Sequence, residues 1–305
     1  VPPDSPEWLN RSRRDALQKS DCVVLAGTLL DFRMRFGRTI PKDAKIIQLD
    51  MDATLIGQNR PSDVGIVGNL SASFEMLLEE TKNQGAQLDW TSWRDQLREL
   101  EDDAEKKVEA ALNSNEVPID PQRMCREVRD WLETFNDPIV IGDGGDIVAT
   151  AAKILPVKSE GAWMDPGPLG TLGVGMPFAL AAQLANPDKR VVIVYGDGSF
   201  GLNGFEFDTA VRFGLPVIGV LGNDAAWGQM MRPQGATYGW DRLAATELAL
   251  TRYDKVVEAL GGHGELVEEP QELRPALERA AASGKPALVN VVIRQDRDYK
   301  GGIYV

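Results

Sequence analysis

Three short apolar stretches near the start of the chain share one pattern. "DCVVLAG" (21–27), "AKIIQLD" (44–50) and "DVGIVGN" (63–69) are β-branched runs that stop at Gly, Asp or Asn. Apolar runs of this length, closed by turn residues, predict strands buried on both faces of a parallel sheet. Residues 70–82 then carry a helical pattern. From Trp90 to Leu112, apolar positions recur at helical spacing on a charged background, which predicts a solvated connecting helix or pair of helices.

A second series begins near Val117. "DPIVIGDGGD", "RVVIVYGDGS", "LPVIGVLGND" and "PALVNVVI" are strand candidates, separated by helical segments near 145–154, 173–186, 203–213, 227–231 and 271–282. Alternation of strand and helix predicts an α/β fold with a parallel sheet covered on both faces. The expected organisation is therefore two parallel-sheet units, 1–85 and 117–305, joined by a helical linker at 86–116.

Composition narrows the function classes. At 305 residues, 43% hydrophobic and 26% charged, the chain suits a soluble protein of one large or two ordinary domains. A net charge of −13 argues against nucleic acid, whose binding needs a basic face. No apolar run approaches a membrane span, and "VPPDSPEWLNRSRRD" lacks the layout of a secretion signal, so a cytoplasmic location is expected. Cys22 and Cys125 are expected in the core or in helices rather than in a disulfide or metal site. The one histidine, His263 in "GGHGE", is expected to be a structural residue of a Gly-rich loop.

The informative stretch is "YGDGSFGLNGFEFDTAVRFGLPVIGVLGN", from Tyr195 to Asn223. Each of its polar clusters, taken alone, is what an ordinary strand-ending turn looks like. Their spacing says more. Asp197 and Asn223 stand 26 positions apart, with one helix and one strand between them, so both belong at the ends of neighbouring parallel strands. Ligands of such sheets bind beyond the carboxyl ends of the strands. A carboxylate, an amide oxygen and a nearby backbone carbonyl are hard donors of the kind Mg²⁺ takes when it is shared with phosphates. Gly196 and Gly198 permit close approach of a phosphate, and Ser199 adds donors near a helix start. The joint reading is a metal-bridged diphosphate site. "GDGGD" at 142–146 serves as an internal control: 26 positions beyond Asp143 lies Leu169, which binds no metal.

Gly196-Asp197-Gly198-Ser199 followed by Asn223 resembles the motif of the thiamine diphosphate-dependent family that contains acetolactate synthase, benzaldehyde lyase, oxalyl-CoA decarboxylase and 2-hydroxyacyl-CoA lyase. The likeness runs through "DPGPLGTLGVGMPFALAAQLANPDKRVVIVYGDGSFGLNGFEFDTAVRFGLPVIGVLGND", which resembles the family's diphosphate-binding domain. "AGTLLDFRMRFG" and "AKIIQLDMDATLIGQNRPSDVGIVGNL" resemble its central, Rossmann-like domain, present here in part. The resemblance implies that Asp197, Asn223 and the carbonyl of Ala225 hold Mg²⁺. It further implies that Gly196, Gly198, Ser199, Gly145 and Asp146 bind the cofactor. Leu172 takes the position whose side chain wedges between the two cofactor rings, and the Gly170 carbonyl takes the position that accepts from the 4′-amino group. Trp227, Gln229 and Met230 would line the substrate side, and Asp224 stands where many relatives carry a second Asn. Glu206 is expected to support the site or to pack.

The family's activating glutamate sits on a separate pyrimidine-binding domain, and no residue here is assigned that role. The chain therefore reads as part of a longer polypeptide, in preference to one subunit of a split enzyme, and it needs that domain in cis or in trans. A homo-oligomer, dimer or tetramer, is expected. In the central domain, Asp50 ends a strand like a ribose-binding acid and Arg33 follows a strand like a phosphate contact, which points to an ADP or CoA nucleotide. The expected function is a thiamine diphosphate- and Mg²⁺-dependent lyase or carboligase acting on 2-hydroxyacyl-CoA thioesters. An acetolactate synthase-like enzyme acting on 2-oxo acids is the alternative, and a cofactor-binding homologue without turnover is the third reading.

Overall fold

The computed structural model describes residues 5–85, 89–155, 157–295 and 297. The chain divides into two compact units, the first being Pro6–Lys107 and the second beginning at Val108. The division falls inside a helix; the predicted linker begins at 86–88, which lie outside the described residues.

The smaller unit is built on three parallel strands in the order β1 (Cys22–Ala26), β2 (Lys45–Asp50) and β3 (Val64–Val67). β1 alternates exposed and buried positions, and Val23, Leu25 and Ile46 meet Leu30, Ile40 and Ala44 in a small core. Cys22 is exposed on this strand, which corrects its placement in the core or a helix: it points to the face opposite Val23 and Leu25. The Arg60 guanidinium closes the loop before β2 by donating to the carbonyls of Ile40 (2.8 Å) and Gly37 (3.3 Å). Three helices complete the unit, α1 (Arg13–Lys19), α2 (Leu70–Asn83) and the first part of α3 (Thr91–Leu112). Asn69 caps α2 by accepting the Ala72 N–H at 3.2 Å. α3 is a single helix and is not wholly solvated. Its buried Glu101 accepts the backbone N–H groups of Arg11 (2.9 Å) and Ser12 (2.8 Å), just ahead of α1.

The larger unit takes the end of α3 and then α4 (Pro121–Leu132), capped by Asp120 with Pro121 in the first turn. Six parallel strands follow in the chain: β4 (Ile139–Asp143), β5 (Trp163–Met164), β6 (Val191–Gly196), β7 (Ile218–Asn223), β8 (His263–Val267) and β9 (Ala287–Val292). Their spatial order is β5-β4-β6-β7-β9-β8. His263 therefore opens an edge strand, where a Gly-rich loop is expected from sequence; its Nε2 lies 2.7 Å from Glu265 Oε1. The helices are α5 (Asp146–Ile154), α6 (Gly175–Ala185), α7 (Asp197–Asn203), α8 (Phe207–Phe213), α9 (Gly228–Tyr238), α10 (Tyr253–Ala259) and α11 (Leu273–Ala282).

Side chains alternate across this sheet with the period of two that a strand imposes. Val192 and Val194 enter a core with α4, α5 and α11, whereas Val191, Ile193 and Tyr195 enter a second core with α6, α8 and α10. With both faces covered, the central strands are apolar almost throughout, which is why they stand out in the sequence. The chain runs outward from β4 to β5 and then returns to place β6 on the other side of β4. That reversal opens a crevice beyond the ends of β4 and β6.

Candidate functional site

The register pairs Gly196 of β6 with Gly222 of β7, so the next residues, Asp197 and Asn223, leave neighbouring strand ends side by side. Asp197 begins α7 and is buried. Its Oδ1 accepts the Gly198 N–H at 2.8 Å and its Oδ2 accepts the Ala226 N–H at 3.2 Å. Burial outweighs these backbone donors and pushes the carboxyl up to about 6.

Asn223 is equally buried, and its amide has a definite sense. Nδ2 donates to the Thr251 carbonyl at 3.0 Å and to Asn290 Oδ1 at 3.2 Å. Oδ1 is left for the Ala225 turn, where it receives the Ala225 N–H at 3.4 Å. Ala225 has φ of 55°, in the left-handed region, and its carbonyl accepts the Leu248 N–H at 2.7 Å. A carbonyl oxygen has two lone pairs, so one remains.

These donors fit Mg²⁺. Among the described residues, backbone N–H groups are what meets the buried Asp197 carboxylate, and a cation beside it would offset the burial. Among the described residues no group of three His, Cys, Asp or Glu side chains can hold a metal ion. A cation here would rest on one carboxylate, one amide oxygen and a carbonyl, with further oxygens to come from phosphates and water.

Two glycines near this pair are packed so closely that no side chain fits. A β-carbon on Gly198 would lie 2.6 Å from Cε3 of Trp227, and one on Gly145 would lie 2.5 Å from Oε1 of Gln229. Trp227 and Gln229 thus lie against two glycines that the sequence resemblance puts at the cofactor, whereas Met230 is exposed and Met231 beside it is buried. Ser199 lies inside α7 rather than ahead of a helix at 203. Its hydroxyl faces the carbonyls of Asp143 and of Gly196 (2.9 Å), so Ser199 offers a diphosphate its backbone N–H more readily than its side chain. Asp146 forms a two-pronged ion pair with Arg232 of α9, which ties α5 to α9. Asp224 is pushed up to about 7 by burial and by the negative charges of Asp197 and Asp146.

Asp143 acquires a role that spacing does not disclose. It is wholly buried at the end of β4, and its two oxygens accept the N–H groups of Gly173 (2.9 Å) and Gly175 (2.7 Å). The loop "GPLGTLG" is thereby clasped to the sheet, with Gly170 at φ 65° and Leu172 half-buried. The available signal was a carboxylate at a buried strand end together with a glycine loop rich in unpaired N–H groups. Glu206 is exposed and accepts the Thr209 hydroxyl at 2.6 Å, so its side chain does not pack in a core.

In the smaller unit, Asp50 ends β2 and accepts the Asp52 N–H at 3.0 Å. Arg33 is held by Asp31, with Nη2 and Oδ2 at 2.7 Å, so its charge is already met by a neighbour.

Residues 143–291 match the family described as "Thiamine pyrophosphate enzyme, C-terminal TPP binding domain", and residues 2–77 match "Thiamine pyrophosphate enzyme, central domain". A probable acetolactate synthase of Mycobacterium bovis is 40% identical over 294 residues, covering 96% of this chain and 52% of that protein. The 2-hydroxyacyl-CoA lyase 2 of Caenorhabditis elegans is 38% identical over 318 residues, covering 99% of this chain and 48% of the relative. The human 2-hydroxyacyl-CoA lyase 2 is 34% identical over 309 residues, with 97% and 47% covered. The chain spans about half the length of these relatives.

Proposed function

Because the chain belongs to the thiamine pyrophosphate enzyme family, we propose that its larger unit holds thiamine diphosphate through Mg²⁺ as part of a carbon–carbon lyase or carboligase. The observation that carries this reading is the pairing of a buried Asp197, bonded by backbone N–H groups, with an Asn223 whose amide oxygen is left toward the same turn. When bound, the thiazolium ring supplies the electron sink for breaking or making a carbon–carbon bond beside a carbonyl.

The chain's own residues bind and orient. Asp197 and Asn223 supply metal-ligating oxygens, with the Ala225 carbonyl as the third, and the first turn of α7 offers N–H groups to the diphosphate. Leu172, on the loop clasped by Asp143, is suited to separate the two rings, and the Gly170 carbonyl to accept from the amino group. Trp227 and Gln229 face the glycines over which the cofactor would run, and they narrow the substrate side.

The substrate favoured is a 2-hydroxyacyl-CoA thioester, supported by the relatives named 2-hydroxyacyl-CoA lyase 2. Action on 2-oxo acids, as in acetolactate synthase, is the second reading; the 40% identity to the mycobacterial relative favours it. An ADP or CoA nucleotide would sit at the strand ends of the smaller unit near Asp50, with Arg33 available only in exchange for Asp31. A pyrimidine-binding domain, in cis or in trans, would complete the site. Leu169, Leu202 and Phe205 are exposed, the first two at the glycine loop, and such apolar surface suits that partner and an oligomer.

Calorimetry with thiamine diphosphate, with and without Mg²⁺, tests the binding; metal-independent or absent binding would remove the reading. Turnover is expected only with the pyrimidine-binding domain present. Product analysis with a 2-hydroxyacyl-CoA and with pyruvate then separates the two substrate classes.

A further inference from the structure

β9 reads Ala-Leu-Val-Asn-Val-Val, and its one polar residue, Asn290, is completely buried between β7 and β8. Such a residue is costly unless its hydrogen bonds are made. The register pairs Asn223 with Val292, which makes Asn290 the diagonal neighbour of Asn223 on the same face. Asn290 Oδ1 accepts from Asn223 Nδ2 at 3.2 Å, while Asn290 Nδ2 donates to the Thr251 carbonyl and to Asp254 Oδ1, both at 3.2 Å. Asp254 is buried in turn and is gripped by Arg252, with Nη2 to Oδ2 at 2.6 Å and Nε to Oδ1 at 2.9 Å. Burial works against its charge, but the bonds from Arg252 and Asn290 prevail and hold the carboxyl below the usual carboxylate range.

The direction of this chain of bonds follows from two groups that can only accept, the Thr251 carbonyl and the Asp254 carboxylate. If Asn290 turned over, its oxygen would face both of them and its NH₂ would face the NH₂ of Asn223. The carboxylate and the Thr251 carbonyl therefore set the sense of Asn290, and Asn290 together with the same carbonyl sets the sense of Asn223.

We propose that Asn290 and Asp254 are positioning residues for the metal site, holding the Asn223 amide with its oxygen toward the Ala225 turn and its nitrogen away from the cation. This rests on the reading that Asp197 and Asn223 hold Mg²⁺. A metal ligand turned the wrong way presents N–H groups to the cation. Outer partners of metal ligands typically matter by 10- to 100-fold in affinity. Here the Thr251 carbonyl supplies part of the same constraint, so the lower end applies.

The test is a double-mutant cycle on the full chain, read as Mn²⁺ affinity by electron paramagnetic resonance in the presence of thiamine diphosphate. Asp254→Asn and Asn290→Leu are each expected to weaken Mn²⁺ binding by about tenfold. The double variant is expected to be no weaker than the worse single, because Asp254 acts through Asn290. Asn290→Ser is run in parallel as a smaller replacement that does not depend on packing a Leu between strands. Melting of the metal-free chain confirms that each variant is folded. Unchanged Mn²⁺ affinity in Asp254→Asn, or losses that simply add, would overturn the relay while leaving the metal site in place. A folded wild-type chain that takes no Mn²⁺ would overturn the metal reading, and the relay with it.

Discussion

The indole of Trp227 lies against the α-carbon of Gly198, so close that a β-carbon there would stand 2.6 to 2.8 Å from three of its ring carbons. One glycine thus faces a neighbouring ring and, in the proposed site, the approach of a diphosphate. Gly198→Ala is expected to destabilise the chain by about 1–3 kcal/mol through overpacking. In a Trp227→Ala background the penalty should shrink, while the loss of cofactor affinity should persist. Thermal unfolding and cofactor calorimetry on the two singles and the double separate these effects.

Asp197→Ala should abolish metal-dependent cofactor binding and leave the fold intact. Two acceptor bonds are lost, but so is the burial of a charge, and these have opposite signs. A net stability change within about 1–2 kcal/mol is expected. Undiminished Mg²⁺-dependent affinity for thiamine diphosphate would remove Asp197 from the metal site.

Asp143→Ala should do the reverse. It strands the N–H groups of Gly173 and Gly175, at about 1–3 kcal/mol for each buried donor left unpaired, and it releases the loop carrying Leu172. Hydrogen exchange and proteolysis at 167–175 should accelerate while metal affinity falls much less. Unchanged exchange in this loop would show that the clasp does not hold it.

Leu172→Ala should lower turnover of the completed enzyme more than cofactor affinity, since the metal and diphosphate contacts are untouched. Equal turnover would mark Leu172 as an ordinary packing residue.

The pH dependence of the metal-free chain follows from Asp197 and Asp224, raised by burial to about 6 and about 7. Both are above the unfolded value of about 4, so the folded chain binds protons that the unfolded chain has released. Stability conferred by their protonation is present at low pH and is lost as pH rises through 6 and 7. Asp31, Asp63, Asp137 and Asp254 are shifted downward, so their contribution is lost only below about pH 4. The metal-free melting temperature should therefore be higher at pH 5 than at pH 8. Mg²⁺ with thiamine diphosphate should flatten that slope. A melting temperature that climbs steadily from pH 5 to pH 8 would contradict it.

The strands that sequence patterning reveals most clearly are those buried on both faces. β4, β6, β7 and β9 coincide with apolar runs because a covered parallel strand must be apolar along its length; β1, β2 and β3 carry such runs too, but β1 alternates exposed and buried positions and β3 is mostly exposed, which corrects the expectation that these three are buried on both faces. β5, two residues long, and β8, an edge strand opening at His263 with every residue before Val267 only partly buried, lack that signature. α7 was hidden for another reason: Gly-Asp-Gly-Ser reads as a turn, and only the placement of β6 shows that Asp197 already starts a helix.

Asp197 and Asn223 were legible as partners because the spacing of one helix and one strand is a property of the chain, and parallel pairing converts it into adjacency. Nothing along the chain told Asp143 from Asp146. One became a clasp on a glycine loop and the other an ion pair with Arg232, because the neighbours that decide between them, Gly173 and Gly175 or Arg232, arrive from 30 to 86 positions away. The same holds for Asn290 beside Asn223. Local pattern reports which side chains are covered, since burial repeats with the period of the element. Which polar group meets which across strand ends depends on the packing of distant segments, and each amide takes the direction that its acceptors allow.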